Sequence, residues 1–245
     1  IAAKAIRVNL SDLAAKGARP LGFLVSLALP KDIDADWLTG FAAGLREDAA
    51  AYKCPLFGGD TVRTPGPLMV SVSMFGSVPE GKMVRRAGAA PGDKVFVTGS
   101  IGDAELGLAL RNGAAWQLTD AQPDHLAVRY LLPQPRNALA ETVLHYASAA
   151  VDVSDGLVGD LAKLLRVSGV AADIDVTRIP LSDAACAVIA ADSAAFATAL
   201  TGGDDYEILC AVPPKNVDRF RVAAMAAKVA ITEIGTIAGG EGARF

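Results

Sequence analysis

The densest chemistry in the chain lies at VDVSDGLVGDL, residues 151–161, where an apolar run meets three acids, Asp152, Asp155 and Asp160. Alternation along a strand sends Asp152 and Ser154 to the same side, and the apolar period changes from two toward 3.6 around Asp155 and Gly156. A strand that turns into a helix presents free N–H groups, which suit phosphate oxygens. Carboxylates beside them suit the hard cation that accompanies a nucleotide. The segment reads as a nucleotide and metal site, with the helix starting near Asp155. The alternative is a capping role, because Asp just before an apolar helical run is a common N-cap.

Other acids stand where chemistry is conceivable. Ala5, Val8, Asp12 and Ala15 share a stripe of the Ala-rich helical stretch IAAKAIRVNLSDLAAKG. A buried, unpartnered carboxylate costs several kcal/mol or more, so Asp12 is expected exposed at a cleft, paired, or beside a metal. In CPLFGGDTVR two glycines precede Asp60; such an ending lets backbone approach a ligand, and a plain loop carrying Asp is the alternative. Arg86, in PEGKMVRRAGAAPGD, is placed either to clamp phosphate or to serve as an ordinary surface cation. In TGGDDYEILCAV an acidic Gly-containing loop runs into a strand, offering Asp204, Asp205 and Glu207 to a substrate, a cation or solvent. Gly99 and Gly102 do not complete G-x-G-x-x-G and mark a structural turn between strand and helix. His125 and His145 lack ligand-spaced partners.

The elements that position these groups follow from periodicity and punctuation. Residues 1–17 form a helix stopped by Gly17 and Pro20, and residues 36–52 form another with Trp37, Leu38, Phe41, Ala42 and Leu45 on its apolar side. Strands are expected at 21–29, 55–60 and 68–78, the last paired with the one before it across the TPGP turn. Pro-Gly-Asp near residue 90 marks a boundary between domains at 1–90 and 91–245. Beyond it come the strand of DKVFV, helices at 124–132 and 137–147, and the apolar helical stripe Leu157, Val158, Leu161, Ala162, Leu164 and Leu165 that ends at Gly169. The strand ADIDV, helices in LSDAACAVIAA and SAAFATAL, and the strand of TGGDDYEILCAV complete an α+β pattern.

Composition narrows the function classes. With 52% hydrophobic and 20% charged residues the chain is globular, and a formal net charge of -4 argues against broad nucleic-acid binding, which needs a basic surface. A small anionic ligand would then need local Arg or metal. LGFLVSLALP is cut short by Pro30 and Lys31, so no membrane span is expected. Cys54, Cys186 and Cys210 are odd in number and without C-x-x-C spacing, which fits a reducing cytoplasm. The chain opens at Ile1 inside a helical pattern, with no signal peptide, and is read as a fragment.

Taken in order, NLSDLAAKGA, FGGDT, DVSDG and GGDDYE, with RRAGAAPGD between the second and third, resemble the thiamine-monophosphate kinase family over nearly the whole chain. The resemblance implies the aminoimidazole-ribonucleotide-synthetase-like architecture, two α+β domains with ATP between them, here with the N-terminal domain truncated. It implies transfer of the ATP γ-phosphoryl group to thiamine monophosphate without a covalent nucleophile. Carried over by motif, Asp12, Asp60, Asp152 and Asp155 would ligate Mg2+, Gly59 and Asp60 would flank ATP, and Ser154 and Arg86 would contact its phosphates. Asp204 would meet the substrate, although the family usually has Glu there. The strands before residue 90 would build a two-fold homodimer. Family members also carry an earlier Gly-Asp-Asp segment and a terminal aromatic contact for the thiamine rings, neither of which is expected in this chain. The alternatives are another ATPase of the same scaffold, of cyclo-ligase or selenophosphate-synthetase type, and a catalytically silent nucleotide-binding or dimerisation module.

Overall fold

Alternation builds the first sheet. In β1 (Arg19–Leu29) Phe23, Val25 and Leu29 face inward, while Leu24 and Ser26 face out. The inward side packs against Ile6 and Leu10 of α1 (Ala2–Ala15) and Phe41 of α2 (Ala35–Ala51). Asp34 caps α2, accepting the Trp37 N–H at 2.7 Å, and Trp37 stacks on Phe41 with centroids 5.0 Å apart. The computed structural model describes residues 1–119 and 121–245.

β2 (Leu56–Arg63) and β3 (Met69–Ser77) complete this sheet in the order β2-β1-β3, with β2 parallel and β3 antiparallel to β1. The expected pairing of the last two strands with each other is therefore wrong. β1 is apolar on both faces and takes the centre, and the segment 64–68 crosses its end. There Thr64 N–H bonds to Leu29 O at 3.0 Å, just before Pro30, whose missing N–H ends the ladder.

The second sheet comprises β4 (Lys94–Thr98), β5 (Ala149–Asp152), β6 (Ala171–Ile174), β7 (Ile208–Val212), β8 (Ile231–Ala238) and β9 (Gly242–Arg244). Its order is β5-β7-β4-β8-β6-β9. Val95, Val97, Ala149, Val151, Leu209 and Ala211 pack toward Leu157, Leu161, Leu164 and Leu165 of α6 (Leu157–Ser168). The alternate residues Phe96, Ala150, Ile208, Cys210 and Val212 pack toward Val143 of α5 (Ala140–Tyr146) and Phe220 of α9 (Val217–Ala226). Ala14 and Ala15 of α1 join that second layer, so α1 serves both sheets. A satellite core joins α3 (Asp103–Arg111), α4 (Ala121–Leu131), α7 (Asp183–Ala191) and α8 (Ala195–Thr201) through Leu106, Leu126, Val188 and Ala199. Among the described residues, no helix is long and apolar enough to cross a membrane.

Candidate active site

The site begins where α1 crosses β5. Ala150 faces the α1 side of the sheet, and Asp152, two residues on, shares that facing at the strand end. This brings Asp152 under the influence of Asp12. Burial first, and the Asp12 charge second, push the Asp152 carboxyl up to about 6, opposed by the neighbouring Ser11 hydroxyl. Asp12 is exposed on α1, yet partial desolvation still raises it above the ordinary carboxylate range, against Lys16 and Arg86. Two hard oxygen donors, one of which raises the proton affinity of the other, fit an oxygen-seeking cation, which needs only one or two carboxylates when phosphate and water supply the rest.

The loop leaving Asp152 is braced from two sides. Val153 N–H bonds to Glu207 O at 2.8 Å, Tyr206 N–H to Val153 O at 2.8 Å, and Asp204 N–H to Ser154 O at 3.0 Å. Gly156 is required by its positive φ of 89° and because a Cβ there would lie 2.5 Å from Thr201 O. α6 starts at Leu157 rather than near Asp155, and its N-cap, Gly156, offers no side-chain bond. The capping alternative for Asp155 fails accordingly. The acid that gathers this loop is Asp160, buried in the first turn of α6, which accepts the N–H groups of Ser154 at 2.9 Å and Asp155 at 2.8 Å.

The remaining sequence candidates are dispersed more widely. The exposed Asp155 side chain is ion-paired with Lys163, which also donates to Asp160 at 2.9 Å. Asp60 lies within β2, which runs three residues past it to Arg63, and accepts the adjacent Thr61 N–H at 2.8 Å. Gly59 is demanded by β1 itself, since a Cβ there would sit 1.8 Å from Val25 O. Among the described residues no group of three or more His, Cys, Asp or Glu stands ready to hold a metal ion. Asp12 and Asp152 are the pair in which one carboxylate acts on the other. Arg86 acts on both Asp12 and Lys16, and its segment is pinned by Val84 N–H to Lys16 O at 3.2 Å and Ala150 N–H to Arg85 O at 3.0 Å.

The acidic loop before β7 divides. Asp204 takes a left-handed φ of 70° and receives Lys4 Nζ at 2.7 Å and Tyr206 OH at 3.0 Å. Asp205 and Glu207, expected to reach substrate, cation or solvent, are instead fully buried. Asp205 accepts Gly102 N–H at 2.7 Å and Ala104 N–H at 3.3 Å, although burial still pushes its carboxyl up to about 8. Glu207 binds Arg129 at 2.7 Å, Thr98 at 2.6 Å and Arg136. These bonds fix the loop from beneath. The turn at Gly99 and Gly102 is structural, as its incomplete motif suggested.

Ser11, Lys4 and Lys16 carry no site role in the sequence reading, and Asp160 is counted there among the acids without its part in holding the loop. Lys16 stands four residues after Asp12 and thus on the same helical face, a spacing that was available to read. Lys4 also lies over the Tyr130 ring at 3.6 Å and donates to Tyr130 O at 2.7 Å, which links α1 to α4 and to the acidic loop.

Residues 1–78 match the family model described as AIR synthase related protein, N-terminal domain, and residues 90–245 match its C-terminal counterpart. A thiamine-monophosphate kinase of Caulobacter vibrioides is 43% identical over 245 residues, covering 99% of this chain and 68% of that protein. The chain belongs to the thiamine-monophosphate kinase family. Its architecture is the two-domain α+β fold of AIR-synthase-related proteins. The crystal structure of a family member from Stenotrophomonas maltophilia superposes with a TM-score of 0.91 at 39% identity, covering 100% of this chain and 77% of that one. AaThiL complexed with AMPPCP and TMP superposes at 0.88 and 33% identity, covering 99% and 75%.

Proposed function

We propose that this chain transfers the γ-phosphoryl group of ATP to thiamine monophosphate, giving thiamine diphosphate and ADP. The observation that carries the reading is the Asp12 and Asp152 pair, held at a strand end in a member of this kinase family, with Lys16 and Arg86 beside it. Direct transfer asks the protein for position and charge compensation, not for a nucleophile. Asp12 and Asp152 would hold Mg2+, which supplies charge neutralisation for the phosphates when bound. Ser154 lies on the loop fixed by Asp160, and Arg86 on the segment fixed by Lys16 and Ala150; both are assigned to the nucleotide phosphates. Gly59 and Asp60 flank the nucleotide in this reading, and Asp60 and Asp155 are further cation ligands on motif grounds. Asp204 is the proposed contact for the acceptor.

Residues 1–90 and 91–245 act as two domains in this account, supported by the separate three- and six-stranded sheets. The outer face of the first sheet exposes Leu24, Phe57, Val62, Met69 and Phe75, an apolar patch that suits a homodimer. The three free cysteines suit the cytoplasm.

The decisive experiment follows label from γ-32P ATP in the presence of Mg2+ and thiamine monophosphate. Label in thiamine diphosphate is the expected result. Label released only as inorganic phosphate would replace this reading with a simple ATPase on the same scaffold.

A further inference from the structure

We infer that Lys16 is a phosphate-binding residue of this site, donating to an oxygen of the nucleotide's phosphate chain alongside Arg86. The inference rests on the nucleotide-dependent reading above and adds a ligand role that reading does not assign.

Position comes first. Lys16 follows the last turn of α1, on the face that carries Asp12, and its carbonyl accepts Val84 N–H at 3.2 Å, two residues before Arg86. Its half-buried side chain reaches across to β5, where Nζ lies 3.5 Å from Ala150 O, at the outer limit of a hydrogen bond. Asp152 projects two residues further along that strand, with the same facing. Two carboxylates and two cations therefore act on one another around the end of β5.

They converge without pairing. Among the described residues no ion pair joins Lys16 or Arg86 to Asp12 or Asp152. An ammonium drawn partly out of water normally finds a carboxylate, because desolvated charge without a partner is costly. Here desolvation lowers the Lys16 pKa and Arg86 adds to the effect, while Asp152 and Asp12 oppose it at a distance. If the two carboxylates serve a divalent cation, their charge is spent on it. Lys16 and Arg86 are then left as two cations whose natural partner is a polyanion, and a lysine ammonium with donors to spare is a strong point-charge ligand for phosphate.

Calorimetry of Mg·ATP binding to the whole chain tests this, with Lys16→Met removing charge at similar length and Lys16→Arg keeping it. Lys16→Met is expected to weaken binding about tenfold, the loss of one charge-assisted hydrogen bond, with no fall in thermal midpoint. Lys16→Arg should stay within about threefold of the parent. Parent-like affinity in Lys16→Met overturns the inference, as does a weakening that both variants share together with a lowered midpoint, which would mark a packing role. Calorimetry reads binding and not transfer, so the two proposals fail separately. A parent that binds Mg·ATP yet forms no thiamine diphosphate sinks the reaction and leaves Lys16 standing, whereas a parent that binds no nucleotide overturns both.

Discussion

The buried carboxylate of Asp160 accepts the backbone N–H of Asp155 at 2.8 Å, while the side chain of Asp155 turns outward to Lys163. Neighbouring acids in one short motif thus do different work. Asp160 also takes the Ser154 N–H, so it sets the path of the loop that follows Asp152. Asp160→Ala leaves two N–H groups without their acceptor and is expected to cost about 2–3 kcal/mol of stability by denaturant unfolding. Asp155→Asn removes an exposed ion pair and should change stability by less than about 1 kcal/mol. Equal losses in the two variants would contradict this division.

Assembly is the second expectation. Phe57 and Phe75 lie on the exposed face of the first sheet with ring centroids 6.5 Å apart, alongside exposed Leu24 and Met69. Light scattering should report a dimer, and Phe75→Asp should give a monomer with an unchanged far-ultraviolet spectrum, because the side chain is exposed in the single chain. A parent that remains monomeric at high concentration would remove the homodimer.

How far the sequence exposed this arrangement depends on whether the determinant was local. α1, β1 and α6 were legible, because alternation and the Leu157, Leu161, Leu164, Leu165 stripe are local patterns and Gly169 closes α6 in the left-handed region. Strand order was not legible. The short link from Arg63 to Met69 suggested a hairpin, but a third strand, β1, which is apolar on both faces, lies between its arms. The roles of Asp205 and Glu207 were hidden for a similar reason: their partners Gly102, Arg129 and Arg136 are at least 71 residues away. An acid in a Gly-rich loop looks solvated until tertiary packing buries it. Asp12 was legible as an anomaly on an apolar stripe, and its counterpart Asp152 as a strand end, but not their convergence.

The convergence has a pH signature. In the metal-free protein Asp152 titrates near 6, because burial and then Asp12 disfavour its charged form, against an ordinary value of 3.8. Below about pH 4 both folded and unfolded chains hold the proton, and the group contributes nothing. Between about 4 and 6 the unfolded chain releases its proton first, so stability falls as pH rises, by up to about 3 kcal/mol, and then levels off. Asp152→Asn lacks this penalty. Its stability advantage over the parent should grow from pH 4 to 6 in chelator and shrink when Mg2+ is added at pH 7. A difference that does not vary with pH would contradict the electrostatic account.

The most direct measurement sets thiamine diphosphate formation by Asp152→Asn, at saturating ATP and Mg2+, beside its metal-free thermal midpoint at pH 7. Asn keeps the shape and one acceptor oxygen while removing the charge proposed to hold the cation. The account predicts opposite movements: turnover falls at least about a hundredfold, equivalent to roughly 3 kcal/mol of barrier, while the midpoint holds or rises because a desolvated charge, set beside Asp12, is gone. Turnover within about twofold of the parent would show that Asp152 holds no cation needed for transfer, and the central claim would fall.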